Sequence, residues 1–210
     1  FTLLYLEGAS RRLAWYWYNG STDYGKHYSP YLRDTTHFFH VVYAFDTTQA
    51  TASDRVKVYI NGDQYDTIIS DYGWMGQNQD MHFNATNEHM IGRYIGNNSY
   101  ADGYMSDIHM VDGQALTPDS FGETKNGVWI PKAYEGSYGT NGFRLEFKNT
   151  TVGGTSPSSS TIGADTSGNN HHFNDYNLGT NDSNLPDCPE NNFMTFNALH
   201  YADSTNPNTS

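Results

Sequence analysis

The chain has 210 residues and a formal net charge of −12, and only 11 of its residues are Lys or Arg. This acidity argues against a nucleic-acid partner, because nucleic-acid binding depends on basic side chains that neutralise phosphates. The single cysteine, Cys188, excludes an intrachain disulfide. No apolar run approaches the ~20 residues of a membrane-spanning helix, so no membrane insertion is expected.

The first predicted elements are apolar strands at residues 1–6 and 13–18. Large side chains recur at every other position of the second strand and therefore share one face: Leu13, Trp15 and Trp17. We assign this face to the core; an aromatic platform for sugar rings is the alternative. Residues 24–32 contain Pro30, which predicts an edge strand.

Two strong strand signals follow. Residues 37–46 are apolar at most odd and even positions, which predicts a central strand covered on both faces. Residues 55–60 alternate between polar and apolar, which predicts a half-buried strand whose outer face includes Arg55. The dipeptide Asn61-Gly62 predicts a type I′ hairpin turn directly after it.

Later in the chain the signals are more local. Residues 101–112 predict a strand. Thr117 followed by Pro118 predicts the start of a helical turn, since these residue types favour the N-cap and first positions. Residues 142–148 alternate again and predict the last clear strand.

The composition changes after Asn149. Residues 150–160 are rich in Thr, Gly, Ser and Pro, which is typical of a linker. The residues beyond are rich in Asn, Asp and Ser, with too few apolar side chains for a core of their own. We therefore predict a β domain over residues 1–149 and, over residues 150–210, a linker and extended C-terminal arm that packs on the domain or on a neighbouring subunit.

Residues 38–42, FFHVV, and 56–62, VKVYING, resemble the laminin G-like, or concanavalin A-like, family. The resemblance implies an all-β, antiparallel two-sheet sandwich of the jelly-roll type. Such sandwiches normally have another strand before this point, so we expect the chain, which begins at Phe1, to lack the first strands of its domain. A fragment, a processed product and part of a larger protein are the three explanations.

A narrower resemblance involves residues 102–122, DGYMSDIHMVDGQALTPDSFG, and 138–147, YGTNGFRLEF. They are similar to the laminin G-like domain of tail-fibre and related structural proteins of tailed bacteriophages, especially marine ones. This implies a virion surface or extracellular protein that forms homo-oligomers or binds other virion proteins, and that attaches to host surface glycans. The alternative is a free-standing secreted carbohydrate-binding module or a bacterial surface adhesin.

The acidic residues indicate that the chain is not an enzyme. Retaining glycosidases need two carboxyl groups ~5–5.5 Å apart, and glycosidases on this kind of sandwich place two glutamates two residues apart on one strand. All glutamates here are isolated in sequence: Glu7, Glu88, Glu123, Glu135, Glu146 and Glu190. No catalytic residues are predicted, and a glycoside hydrolase or lyase is the third alternative.

No cofactor or metal site is predicted either. Zinc needs three or four converging ligands, whereas His37 and His40 are three residues apart on a strand and point to opposite faces. Calcium binding through Asp and Asn oxygens is compatible with the family. However, no loop shows the alternating acidic spacing.

Residues 70–80, SDYGWMGQNQD, are the best candidate for a glycan site, since they combine aromatic side chains with a few polar ones. Tyr72 and Trp74 are predicted to stack on sugar rings. Hydrogen bonds to sugar hydroxyls are assigned to three polar residues: Asp71, Gln77 and Asn78. The alternative is that Trp74 folds back onto the sandwich or is buried against a partner chain.

A second candidate lies in the next Asn-rich turn. Asn97, Asn98 and Tyr100 combine amide groups with an aromatic ring in the same way.

Overall fold

The computed structural model describes residues 2–7, 12–18, 20–28, 32, 34, 37–84, 88–94, 99–101 and 103–178. Within these residues the backbone forms thirteen strands and three short 3-10 helices, and it contains no α-helix. The same residues include no helix with the length and hydropathy needed to cross a bilayer. The all-β class predicted from the sequence is confirmed.

In chain order the strands are β1 (Thr2–Glu7), β2 (Arg12–Tyr18), β3 (Asp23–Tyr28), β4 (Val41–Phe45), β5 (Val56–Ile60), β6 (Asp63–Gln64), β7 (Ile68–Asp71), β8 (Arg93–Tyr94), β9 (Ser99–Tyr100), β10 (Ile108–Met110), β11 (Gly122–Lys125), β12 (Val128–Pro131) and β13 (Phe143–Leu145). The 3-10 helices cover Ala52–Arg55, His82–Asn84 and Pro118–Ser120. One antiparallel sheet has the order β1-β2-β3-β7, and a second has the order β4-β5-β6.

These two sheets share a core, which makes them the two layers of a sandwich. β2 contributes the side chains that its alternation predicted: Leu13, Trp15 and Trp17. β5 contributes its own alternating set: Val56, Val58 and Ile60. All six are at most 5% exposed. Burying a side chain of this kind contributes about 1.5–3 kcal/mol, so these two strands supply much of the stability of the sandwich.

Two predictions about strand position are wrong. β3 lies between β2 and β7, so it is an inner strand, and Pro30, which suggested an edge, lies outside the described residues. β4 was predicted to be central, yet in the described part of the chain it pairs only with β5. Its odd-numbered side chains pack against the core and Ala44 on its other face is 9% exposed. The apolar character of both faces therefore reflects side-chain packing and not a central position.

Two local predictions are confirmed by the backbone. Asn61 and Gly62 have φ of 50° and 90°, and positive φ at both central residues is what a type I′ turn requires. The 3-10 helix Pro118–Ser120 begins directly after Thr117, as predicted, although the Thr117 side chain makes no capping hydrogen bond. The strand predicted over residues 101–112 is reduced to β10.

Two tryptophans connect peripheral segments to the sandwich through hydrogen bonds from their indole N–H groups to histidines. Trp17 Nε1 donates to His82 Nδ1 at 2.8 Å, and Trp129 Nε1 donates to His40 Nδ1 at 3.0 Å. The Trp129 ring also lies directly against Gly62 and Gly122, where a Cβ atom would overlap it. The β11–β12 hairpin is thereby seated on the turn that follows β5.

The chain divides into two compact units. The first comprises Phe1–Tyr104 and Val111–Asn141, and the second comprises Met105–Met110 and Gly142–Ser210. The boundary that composition suggested after residue 149 lies within the second unit. The division into a domain over residues 1–149 and an arm over residues 150–210 stays a prediction, and residues 179–210 lie outside the described part of the chain.

Two carboxylates of the second unit accept hydrogen bonds from backbone N–H groups. Asp165 accepts from the N–H groups of Arg144, Ser167 and His171, each at 2.9 Å. Asp175 accepts from two successive backbone N–H groups, those of Gly153 and Gly154. These contacts order a polar segment that has little regular strand structure.

Candidate functional site

Tyr72, at the start of the predicted glycan loop, is an exposed aromatic residue on the outer face of the first sheet. The backbone N–H of Tyr72 donates to Gly25 O at 3.0 Å, which continues the pairing of β7 with β3. The Tyr72 side chain is 53% exposed and makes an edge-on contact with the ring of Tyr16, with a centroid distance of 6.5 Å. The Tyr16 hydroxyl in turn hydrogen bonds to the carboxylate of Asp23. An aromatic surface beside a carboxylate is a combination that suits sugar binding.

Trp74 lies in a different environment. Its ring centroid is 6.1 Å from that of Trp15, and the Lys26 Nζ atom lies 4.4 Å from the Trp74 ring centre. Lys26 is fully buried, and burial lowers the pKa of its amino group. Met75, the next residue, is also fully buried. Trp74 therefore packs against the core of the sandwich, which is the structural alternative that the sequence left open.

Arg55 holds the loop in place. Its guanidinium donates to three carbonyl oxygens: Met75 O at 2.7 Å, Gln49 O at 2.9 Å and Ala50 O at 2.9 Å. The alternation of residues 55–60 placed Arg55 on the outer face, but it is only 9% exposed. The prediction was wrong because Arg55 ends a 3-10 helix, where the side-chain direction of a strand does not apply.

The polar residues of the predicted site brace two neighbouring loops. Asn78 N donates to Thr47 O at 2.8 Å, and Gln77 Nε2 donates to Thr48 O at 2.9 Å. Asp46 anchors the partner loop, because its carboxylate accepts from the Thr48 hydroxyl and from Gln49 Nε2, both at 2.6 Å. These two side-chain hydrogen bonds lower the pKa of Asp46.

The remaining candidates are only partly described. The backbone of Asp71 pairs with Lys26, but the side chain of Asp71 and all of Asn97 and Asn98 lie outside the described residues. Tyr100 is 59% exposed and lies on β9, where the Arg93 guanidinium is 5.6 Å from its ring centre. The structure thus places Tyr72, Gln77 and Asn78 on one loop, while Tyr100 belongs to a separate hairpin.

The geometry of the two facing sheets agrees with a comparison against protein families. The model of the family described as the concanavalin A-like lectin/glucanases superfamily, Laminin_G_3, matches residues 1–120, which is more than half of the chain. The chain belongs to this family. No curated protein and no solved structure matches it.

The name of the superfamily covers both lectins and glucanases. The pKa values of the carboxyl groups therefore bear on whether the chain contains a general acid. A general acid in a glucanase needs a raised pKa. In the described residues, every carboxyl group with a shifted pKa has it lowered: Asp46, Asp107, Glu123 and Asp165.

Among the described residues, Asp107 has the carboxyl group with the most perturbed pKa. Burial raises its pKa, but hydrogen bonds from His109 and Arg144, together with their charges, outweigh burial and bring the pKa to about 2. The Asp107 carboxylate lies 3.0 Å from His109 Nε2 and 2.9 Å from Arg144 Nε. This carboxylate is ionised and paired, which suits a structural ion pair better than an acid catalyst.

Calcium binding through Asp and Asn oxygens was compatible with the family, although no calcium site was predicted. In the described part of the chain no group of three or more His, Cys, Asp or Glu side chains converges. The oxygens of Asp165 already accept hydrogen bonds from backbone donors. No role for a metal ion is therefore derived.

Proposed function

We propose that this chain is a non-enzymatic, glycan-binding protein of a tailed-bacteriophage virion surface, in a tail fibre or a capsid-attached fibre. It attaches to host surface glycans or takes part in virion assembly. The virion assignment is supported by the similarity of residues 102–122 and 138–147 to bacteriophage structural proteins. The lectin-like role is supported by membership of the concanavalin A-like superfamily.

The observation that carries glycan binding is the exposed Tyr72 ring against the ring of Tyr16, whose hydroxyl hydrogen bonds to the Asp23 carboxylate. A tyrosine ring offers an apolar face for the C–H groups of a sugar at little entropic cost. A carboxylate accepts hydrogen bonds from sugar hydroxyls. Tyr72 is therefore the centre of the proposed site, in place of Trp74.

The proposed partners are further copies of this chain or other virion proteins, and the proposed location is the virion surface or the extracellular space. The net charge of −12 is compatible with the proposed location, since a highly charged surface keeps a protein soluble. Neither a cofactor nor a metal ion is part of the proposal.

A glycan array of bacterial surface oligosaccharides tests the proposed site. We expect the wild-type chain to bind, and Tyr72→Ala to weaken binding roughly fivefold, because an aromatic contact contributes about 1 kcal/mol. Tyr104→Ala is the matched control, since Tyr104 is 63% exposed. A wild-type chain that binds no glycan, or an equal loss in both variants, would reject the site.

The virion assignment needs a separate experiment. An antibody against this chain should label phage particles purified from the source culture. Labelling of bacterial cells or of particle-free culture fluid, without labelling of particles, would support the bacterial adhesin or the secreted carbohydrate-binding module instead.

A further inference from the structure

The first unit contains an open cleft that the sequence did not suggest. It lies where the chain leaves β12, and its volume is about 450 Å³, within the range of about 300–1,000 Å³ typical of small-molecule sites. Six residues line it: Ser120, Lys132, Ala133, Tyr134, Glu135 and Gly136.

The walls of the cleft are fixed by local contacts. Lys132 N donates to Phe121 O at 2.9 Å, and the Tyr134 hydroxyl donates to Ser137 O at 3.0 Å. The Tyr134 ring packs between Phe121 and Tyr138, with centroid distances of 5.0 and 5.1 Å. The backbone and the aromatic wall of the cleft are thus fixed before a ligand binds, whereas the exposed side chains of Lys132 and Glu135 become ordered when it binds.

Close packing under the tyrosine explains the glycine in the cleft. A Cβ atom on Gly136 would overlap the phenol of Tyr134. The backbone therefore approaches the ring directly, and the segment that carries Lys132 and Glu135 is held against the aromatic cluster.

The polar groups of the cleft have complementary hydrogen-bonding roles. The Lys132 ammonium can only donate, the Glu135 carboxylate can only accept, and the Ser120 hydroxyl can do both. Lys132 and Glu135 are both exposed. One positive and one negative side chain give the cleft no net preference for an anion or a cation, whereas adjacent hydroxyl groups of a neutral sugar can accept from Lys132 and donate to Glu135.

We propose that this cleft is a second sugar subsite, which holds a neutral sugar ring through adjacent hydroxyl groups bound by Lys132 and Glu135. Tyr134 and Ala133 supply the apolar contact that the C–H groups of the ring need. This inference extends the proposed glycan-binding function and rests on it, but it uses residues separate from Tyr72.

The test is an NMR titration of the full chain with the methyl glycosides of glucose, galactose, mannose and N-acetylglucosamine. We expect at least one of them to shift the amide signals of residues 132–136. Lys132→Met and Glu135→Gln should each weaken that binding about tenfold, since each removes a charge-assisted hydrogen bond. Lys57→Met and Asp54→Asn, which alter an exposed ion pair between the 3-10 helix Ala52–Arg55 and β5, are the matched controls and should bind normally.

The outcomes separate this inference from the proposed function. Shifts confined to Tyr16 and Tyr72 would overturn the cleft and leave the proposed function standing. The cleft proposal would also be overturned if the control variants reduced the shifts at residues 132–136 as much as Lys132→Met does. A titration in which no sugar shifts any signal would overturn both proposals.

Discussion

The hydrogen bond from Trp17 to His82 makes the stability of the first unit depend on pH. Trp17 Nε1 is only a donor, so His82 Nδ1 must be unprotonated to accept from it. Burial lowers the pKa of His82, so the folded chain binds fewer protons than the unfolded chain as the pH falls below about 6.5. The contribution of His82 to the stability of the first unit is therefore fully present above that pH and is lost as the pH falls below it.

We therefore expect the free energy of unfolding, measured with urea, to decrease between pH 7.5 and pH 5.5, an interval chosen to span about one unit on either side of the histidine pKa. His82→Phe, which cannot titrate, should be less stable at the higher pH and show a smaller decrease. A wild-type chain whose stability is unchanged across this interval would contradict the assignment.

Arg55 gives a second prediction at the residue scale. Arg55→Ala should lower the free energy of unfolding by about 3 kcal/mol, because three carbonyl oxygens lose a buried donor. Arg55→Lys should recover little of the lost stability, since an ammonium cannot reproduce the geometry of the guanidinium fork. Urea unfolding measures both, and the control is Lys57→Ala, whose side chain is 40% exposed. A loss in Arg55→Ala no greater than in the control would contradict the role of Arg55.

At the scale of elements, alanine substitutions at three glycines of the first unit distinguish the effect of steric overlap from the effect of backbone strain. Gly122 has room for a side chain only if Trp129 moves, whereas Gly127, with φ of 78°, faces open space. Gly122→Ala should displace the Trp129 ring and loosen the β11–β12 hairpin. Gly127→Ala should cost about 1 kcal/mol through backbone strain alone and leave Trp129 in place. Gly62→Ala combines both effects.

The NMR signal of the Trp129 indole N–H reports directly whether the Trp129 ring is displaced in these variants. It should shift or broaden in Gly122→Ala and Gly62→Ala and remain as in the wild type in Gly127→Ala. A signal that is unchanged in Gly122→Ala would show that the hairpin does not depend on this contact.

Alternating patterns predicted the elements whose side chains face one core. β2, β5 and the Asn61-Gly62 turn follow directly from period-two apolar positions and turn chemistry. The patterns failed where another interaction governs the side chain. Lys26 is polar by sequence yet fully buried beside Trp74, and no pattern distinguishes it from an exposed lysine.

The candidate site was predicted only in part for the same reason. The sequence identified Tyr72 and Trp74 as aromatic residues on one loop, but their exposure differs because only Trp74 packs against Trp15. The cleft around Lys132 gave no signal, because its walls come from Ser120 and from residues 132–136, which are separated along the chain.

At the scale of the whole molecule, the two units should lose stability in different pH ranges. In the second unit, the pKa of Asp107 is about 2, below its ordinary value of 3.8. The ionised Asp107 carboxylate therefore contributes about 2 kcal/mol to the free energy of unfolding above about pH 4. This contribution is lost as the pH falls toward 2. The histidine effect in the first unit occurs at higher pH.

Amide hydrogen exchange between about pH 7.5 and about pH 2.5, a range that begins above the typical pKa of His and ends below that of Asp, measures this prediction unit by unit. After correction for the intrinsic pH dependence of exchange, the amides of β13 should lose protection only in the acidic part of the range. In Asp107→Asn they should be less protected throughout and should depend less on pH. Simultaneous loss of protection in both units of the wild-type chain would contradict it.

The sandwich was predictable from sequence, whereas the organisation of the second unit was not. Composition indicated a linker over residues 150–160, since Thr, Gly, Ser and Pro supply little apolar surface. Within this segment, the backbone N–H groups of Gly153 and Gly154 donate to the carboxylate of Asp175, a contact that composition did not predict. A carboxylate that binds backbone donors has the same residue type as one that faces solvent, so composition cannot separate them.

The position of Trp129 between Gly62 and Gly122 has a consequence for how such sequences diverge. A relative that keeps an indole at this place must keep small residues at both neighbours, and one that acquires a side chain at either must replace the tryptophan. The three positions should therefore change together, although they lie in three separate parts of the chain.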